Sequence, residues 1–206
     1  IVFGDWSSDV CSSDLTLLSM FFKELGYEST PINEAFAICL NELIDTGLTG
    51  ICFSAGAGMG NTALVAQEDP IVTFSTTRSG DYIDKQVGKA LAMSPSLVQL
   101  EKESGVDLFN PSNKIIEAVA IYYKSVIKYT VENIAFEIKR RKSKIPVFRE
   151  AVPIILSGGL SWAKGYKELF EEELKLQDFP FEIGEVKVVS NPDTCVALGC
   201  LLASQL

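Results

Sequence analysis

Apolar positions along the chain switch repeatedly between the spacing of helices and the spacing of strands. Apolar residues three to four positions apart predict helices, and short apolar runs between turn residues predict strands. The predicted helices cover residues 16–25, 31–47, 81–91, 96–103, 111–141, 164–176 and 192–202. The predicted strands cover residues 50–53, 62–66, 71–75, 152–156 and 186–189. Helices that alternate with strands in this way predict an α/β fold.

The first fifteen residues, IVFGDWSSDVCSSDL, show neither spacing. No charged region precedes an apolar run there, which argues against a secretory signal. The string from Asp5 to Leu15 resembles a translated sequencing-library adapter, so we expect residues 1–15 to be a non-native scar and the natural N-terminus to be missing. An ordinary Ser-rich tail is the alternative, and neither interpretation gives Trp6 or Cys11 a function.

Composition and charge exclude several classes of function. The chain has 206 residues, 47% of them apolar, which is enough for a hydrophobic core. It has no His, which removes His-based catalytic triads and the commonest metal ligand. Net charge is −9, with 18 basic and 27 acidic residues, and this argues against a broad nucleic-acid surface. The basic run KRRK (139–142) is better explained as a solvated helix end.

The Cys spacing does not predict a zinc site. The uncharged stretch 46–67 does not predict a membrane-spanning helix. Four of the five Cys lie in apolar runs and none forms a CxxC pair, which predicts buried thiols in a reducing, cytoplasmic setting. The stretch 46–67 has no charge, but its glycines and polar residues make it too polar for a spanning helix. We expect a strand, a glycine loop and a second strand instead.

Two glycine loops carry the candidate chemistry. In FSAGAGMGNTALV (53–65), Gly56, Gly58 and Gly60 lie between strand-type runs, so backbone N–H groups can approach an anion. It is neither a Walker A loop nor a dinucleotide fingerprint, because no GK[ST] follows and a strand comes next. In IILSGGLSWAKGYKELF (154–170), a strand ends in SGG and a helix follows, a turn that can hold an anion or a flat ring. A plain hairpin and a plain strand-to-helix connection are the alternatives.

In this order the loops resemble the nucleotide-binding superfamily of actin, MreB and the heat-shock chaperones. That superfamily has a DxGGGT-type phosphate loop, an SGG or TGG adenosine loop, and a short helix that starts near xPxxAVAxG. The counterparts here are SAGAGM (54–59), LSGG (156–159) and NPDTCVALG (191–199). SGDYID (79–84) resembles the step that opens the next helix, and ELFEEELKL with NPDTCVALG is similar to MreB.

The resemblance implies a ribonuclease-H-like, actin-type ATPase fold, mostly its second lobe plus the end of the first. Residues 16–46 would end the first lobe, 47–190 would form the second lobe with a helical insert over about 85–145, and 191–206 would return to the first lobe. The other phosphate loop of the superfamily would lie upstream of this chain.

The resemblance also implies ATP or ADP with Mg²⁺ as ligand. The positions that match the superfamily's nucleotide contacts are Gly56, Ala57, Gly58, Met59, Glu101, Gly158, Gly159, Leu160, Ser161 and Lys164. Glu101 would bind the ribose, and Lys164 matches a basic residue of MreB-like chains. Trp162 stands where chaperone relatives place an Arg on the base, and it could stack on adenine or pack inward; packing is the favoured interpretation.

Departures from the pattern weaken the case for metal-dependent chemistry. Ser54 replaces the loop Asp that holds the water shell of Mg²⁺, and Met59 replaces a phosphate-contacting Thr. Thr30 replaces the water-orienting Glu that precedes the Pro, while Glu28 and Glu34 lie nearby but off register. We expect slow ATP hydrolysis or none, and no catalytic residue or resident metal ligand is assigned.

Three functions fit these residues. The first is an ATP- or ADP-binding actin-like protein, with self-association into cytoskeletal filaments as one form of it. The second is a catalytically degenerate scaffold that kept the fold. The third is a chaperone-like or sugar-kinase-like member of the superfamily, for which no substrate signature is present. Nucleic acid is not an expected partner.

Overall fold

The computed structural model describes residues 2–4 and 12–205, and over these ranges it is a mixed α/β structure. The helices are α1 (Ser12–Glu24), α2 (Glu34–Glu42), α3 (Gly80–Leu91), α4 (Pro95–Glu103), α5 (Lys114–Arg140), α6 (Tyr166–Lys175) and α7 (Pro192–Ala203). The strands are β1 (Val2–Gly4), β2 (Thr30–Ile32), β3 (Gly50–Ala55), β4 (Gly60–Ala66), β5 (Asp69–Thr76), β6 (Val152–Ser157) and β7 (Ile183–Val188).

The main sheet has five strands in the order β5-β4-β3-β6-β7. Strands β3, β4 and β5 form an antiparallel meander, as the short turns between them require. Strand β3 pairs in parallel with β6, and β6 pairs in parallel with β7. The chain between β5 and β6 contains α3, α4 and α5.

Each face of the sheet is covered by its own hydrophobic core. Alternate residues of β3 point to opposite faces, so Phe53 joins the larger core, which includes residues of α5 and α6, while Cys52 joins a smaller core with α2 and α7. Helices α2 and α7 approach very closely, because a Cβ on Gly199 would lie 1.8 Å from the carbonyl oxygen of Ala37. Glycine at this position therefore lets α7 lie directly against α2.

The expected strands and most of the expected helices are confirmed, with shifts at their ends. The helix expected to begin at Pro31 is wrong at its start, because residues 30–32 form β2, which pairs in parallel with β1. Asn33 is extended, and its side chain accepts hydrogen bonds from the N–H groups of Ala35 and Phe36, so α2 begins only at Glu34. The long helix likewise begins after the cap Asn113, later than expected.

Two further differences concern the ends of the chain. No element was expected before residue 16, yet residues 2–4 form β1 and α1 begins at Ser12. Trp6 and Cys11 lie outside the described residues. Asn191 occupies the cap position of α7 as expected, but its side chain makes no capping hydrogen bond.

None of the helices in the described ranges has a stretch long and apolar enough to cross a bilayer.

Candidate functional site

The two glycine loops leave the sheet side by side. Strands β3 and β6 are parallel neighbours, with Ser54 opposite Ser157, so the loops that follow them emerge at one edge of the sheet. Gly158 has φ +85°, and a Cβ there would lie 2.4 Å from the carbonyl oxygen of Ala55. Only glycine can adopt this conformation at so close an approach without strain. In α/β sheets, this edge at the carboxyl ends of parallel strands is where ligands bind.

The first loop is fixed by its carbonyl groups, which leaves its amide groups available. The carbonyl of Gly56 accepts from the Gly80 N–H at 3.1 Å, and that of Ala57 accepts from the Asp81 N–H at 2.8 Å. The start of α3 is therefore used to hold the loop. The N–H groups of Ala57, Gly58 and Met59 have no hydrogen-bond partner among the described residues. Such unpaired, successive N–H groups are suited to binding an anion.

The second loop is a tight turn held at both ends. Residues 159–162 form a single 3₁₀ turn, and the Ser161 hydroxyl donates to the Gly158 carbonyl at 2.7 Å. The Lys164 ammonium donates to Asp107 at 2.6 Å. This hydrogen bond, with help from backbone N–H groups, lowers the pKa of Asp107 to about 2. Lys164 therefore ties the second loop to the segment that follows α4.

A cleft of about 430 Å³ opens between the two loops and helices α3, α4 and α5. This size is within the usual range for a small-ligand site. Its lining residues are Gly56, Ala57, Gly80, Asp81, Asp84, Gln99, Lys102, Glu103, Gly105, Val106, Tyr123, Gly159, Leu160, Trp162 and Ala163. Apolar side chains and glycines dominate this lining, and its charged side chains come from α3 and α4.

A buried ion pair lies at the floor of the cleft. The Lys102 ammonium is 2.7 Å from Asp84 Oδ2 and also donates to the Gly80 carbonyl at 3.2 Å, which ties α4 to α3. Burial raises the pKa of Asp84 above its usual value, although the Lys102 cation works against this rise. The other carboxylate oxygen, Oδ1, has no hydrogen-bond partner among the described residues.

The cleft contains some of the residues that the sequence singled out and not others. Gly56, Ala57, Gly159 and Leu160 line it. Four others, Gly58, Met59, Gly158 and Ser161, belong to the same loops but are not part of the lining. Lys164 is bound to Asp107, and Glu101 lies 3.4 Å from the Asn113 amide.

Several cleft residues were missed by sequence reasoning. Glu103 and Gln99 line the cleft where Glu101 was expected, because positions 99, 102 and 103 share one face of α4. Trp162 is 60% exposed and lines the cleft, so the favoured interpretation that it packs inward is wrong. Tyr123 comes from the middle of α5, where no sequence signal separates it from the other core residues.

A second polar cluster lies on the opposite face of β3. Glu34, in the first turn of α2, accepts hydrogen bonds from the Ser54 hydroxyl at 2.7 Å and the Asn61 amide at 2.9 Å. Asn61 in turn accepts from Ser75 at 2.6 Å. Glu34 was set aside as off register, but it contacts the position where the superfamily places its loop Asp. The cap at Asn33 was the signal that would have placed Glu34 at the start of the helix.

One protein-family comparison matches nearly the whole chain. The sequence model of the Volactin family matches residues 14–204. No curated protein matches the chain.

Within the described residues, no group of acidic or Cys side chains comes together in a way that could hold a metal ion.

Several solved structures share the fold. The MamK double helical filament covers 100% of this chain with TM-score 0.75 at 18% identity. MreB5 of Spiroplasma citri bound to AMPPNP covers 99% with TM-score 0.72 at 15% identity. The ethanolamine utilization protein EutJ from Carboxydothermus hydrogenoformans covers 89% with TM-score 0.61 at 19% identity. The chain spans 59% of the EutJ protein, 68% of MamK and 67% of MreB5. The expected actin-type fold is confirmed.

A Lys102 variant tests whether the Lys102 cation stabilises the buried Asp84 carboxylate. Replacing Lys102 by Met leaves the Asp84 carboxylate buried without a cation, a change that costs about 3–5 kcal/mol in unfolding free energy at neutral pH. The folded-state pKa of Asp84 then rises further. The loss is therefore largest above this pKa and shrinks as the pH falls toward the unfolded-state value near ~4, where the group is protonated in both states.

Urea unfolding of the Lys102→Met variant at about pH 8 and about pH 5 measures this dependence. The exposed Lys85 on the neighbouring helix α3 supplies the control, because Lys85→Met should change stability by less than about 0.5 kcal/mol at either pH. An equal loss at both pH values for Lys102→Met would show that the Asp84 charge is not what Lys102 neutralises.

Proposed function

The chain belongs to the Volactin family, and on that premise we propose that it binds a nucleotide, ATP or ADP, in the cleft between its two glycine loops. The observation that carries the proposal is the pairing of β3 with β6, which brings unpaired amide groups and an apolar cleft to one edge of the sheet. MreB5 of Spiroplasma citri, which shares the fold, is bound to AMPPNP in its structure.

The two ends of the cleft suit the two ends of a nucleotide. Trp162, Leu160 and Val106 supply apolar surface at the second loop, where a flat base can lie. The free N–H groups of Ala57, Gly58 and Met59 supply donors at the first loop, where phosphate oxygens can be held. We therefore propose the second loop as the nucleoside side of the site and the first loop as its phosphate side.

We propose that Glu34, near the first loop, contacts the water shell of a Mg²⁺ ion that arrives with the nucleotide. In nucleotide sites Mg²⁺ is held by one or two carboxylates together with phosphate oxygens and water. Glu34 is the carboxylate that contacts Ser54 at the end of β3, and each of its oxygens keeps a free lone pair beyond the bonds from Ser54 and Asn61. Glu34 would hold the ion's water shell, and the ion would offset phosphate charge.

Slow hydrolysis follows from the same residues. Thr30 and Ser54 are neutral, so Glu34, the acid that contacts Ser54, would have to act on both the metal and an attacking water. We propose the cytoplasm as its location, because Cys39, Cys52, Cys195 and Cys200 are free thiols.

Self-association is the second part of the proposal. A MamK filament and this chain share the fold, which supports a filament-forming subunit. A scaffold without nucleotide turnover is the competing function, and the neutral Ser54 and Thr30 favour it over a fast ATPase.

Nucleotide binding is tested by filling the cleft without disturbing the fold. Gly159 lines the cleft, and a Cβ there would meet nothing within 4 Å. We expect Gly159→Val to fold normally but to bind at least about tenfold more weakly, because the new side chain occupies the space of the nucleoside. Energy transfer from Trp162 to an N-methylanthraniloyl-ATP probe measures binding, and Trp162→Phe identifies the signal that comes from this residue.

Ser125→Val, which introduces the same side chain on the exposed face of α5, is the control and should bind like the natural chain. Gly158→Val is not a useful variant, because its side chain would collide with the β3 backbone. Equal affinity of Gly159→Val and the natural chain would contradict the proposal.

The role of Glu34 is tested separately through the metal dependence of binding. Glu34→Gln keeps the side-chain shape but removes the negative charge. We expect ADP to bind the natural chain several-fold more tightly with Mg²⁺ than with EDTA, and we expect Glu34→Gln to lose most of this difference. Isothermal titration calorimetry measures both affinities. Glu172→Gln, on the exposed side of α6, is the control, and an unchanged Mg²⁺ dependence in Glu34→Gln would exclude Glu34 as the metal-side residue.

A further inference from the structure

Residues 142–149, between α5 and β6, form a loop that holds an apolar side chain out in solvent. Val147 is 95% exposed. On either side of it, Ile145 and Phe148 pack against the larger core, and the Phe148 ring lies 4.9 Å from the Phe181 ring between centroids. The loop is therefore fixed around Val147, so a partner that binds there would lose little affinity to ordering the loop.

The same loop carries positive charge in a chain whose net charge is −9. Lys142, Lys144 and Arg149 are exposed, and none of the three forms an ion pair with another described residue. Glu150 and Glu182 border the loop without pairing to these cations. We call residues 142–149 the basic loop. Unpaired cations around an exposed apolar side chain favour a partner surface that is both acidic and apolar.

Helix α4 exposes that complementary combination of side chains. Leu97 and Leu100 are 52% and 64% exposed. Glu101 follows Leu97 by four positions and Glu103 follows Leu100 by three, so these four side chains lie side by side and form what we call the α4 face. Within the described residues the two carboxylates accept hydrogen bonds from side-chain amides and from no cation. The lysine of α4, Lys102, is held in the buried ion pair of the cleft.

The basic loop and the α4 face lie at opposite ends of α5. Glu101 of the α4 face contacts Asn113, the cap at the start of α5, whereas the basic loop follows the end of this helix. A helix of 27 residues is about 40 Å long, so the two surfaces do not meet within one chain. Two copies aligned in the same direction bring them together. Each such contact leaves one surface free at either end, so it extends into an open chain of subunits.

We infer that the basic loop binds the α4 face of a second copy of this chain, with Val147 against Leu97 and Leu100 and the loop cations against the two carboxylates. This inference rests on the proposed self-association and adds to it the pair of surfaces through which the copies meet. A second copy is the occupant because one sequence carries both complementary surfaces. Another acidic protein would leave the α4 face without a partner.

The experiment blocks one surface at a time. Val147→Glu places a negative charge opposite the acidic α4 face, and Leu100→Glu removes the apolar contact of that face. In sedimentation velocity we expect the natural chain to form species larger than a dimer as its concentration rises, and we expect each variant to associate at least about tenfold more weakly. Ile121→Glu, at a 62% exposed position of α5, is the matched control and should assemble like the natural chain.

A mixture of the two variants gives the sharper result. The Val147→Glu chain keeps a natural α4 face and the Leu100→Glu chain keeps a natural basic loop, so an equimolar mixture has one usable contact. It should form a heterodimer and no larger species, and about 0.5 M salt should dissociate most of it, because salt screens the charges. Both positions are exposed, so the urea midpoints of the variants should stay close to that of the natural chain.

The outcomes separate this contact from self-association in general. If the natural chain assembles but the mixture yields no heterodimer, or if either variant alone assembles like the natural chain, the two surfaces are refuted and self-association uses another surface. If the natural chain is monomeric at every concentration, the proposed self-association fails and this contact fails with it. Nucleotide binding in the cleft has its own test and is unaffected by either result.

Discussion

The parallel pairing of β3 with β6 is the constraint on which the rest of the site depends. It places Ser54 opposite Ser157, so the two loops that follow must emerge together. The approach is close enough that Gly158 has no room for a side chain against Ala55. Neither loop forms a site alone, since the first loop offers unpaired amide groups and the second offers an apolar surface. Because the two loops are adjacent, they line a single cleft.

Polar groups near the end of β3 lie on both faces of the sheet. Because side chains alternate along a strand, Ser54 faces α2 and reaches Glu34, while the loop beyond Ala55 opens to the cleft on the α5 side. Ser54 stands where the superfamily that the sequence resembles has an Asp, and Glu34 supplies a carboxylate beside it from α2.

How far the sequence could predict this site differs from residue to residue. Gly56 and Gly159 were predictable as cleft residues, because the order of the two glycine loops resembles that of the actin superfamily. Glu34 was set aside because Thr30, and not Glu34, occupies the position directly before the Pro. The cap residue Asn33 was the signal that places Glu34 in the first turn of α2. Trp162 was misjudged because apolar character predicts burial only on average. Asp84 and Tyr123 both line the cleft because α3 packs against α5, and no local pattern encodes that packing.

The most direct test of the account observes the amide groups of the two loops themselves. In a ¹H–¹⁵N NMR titration with a non-hydrolysable ATP analogue, the resonances of Ala57, Gly58, Met59, Gly159 and Leu160 should shift together along one saturating curve. Those amides lie in both loops, and a common curve means one ligand that contacts both. Saturable shifts confined to a single loop, or to residues away from the β3–β6 edge, would contradict the account.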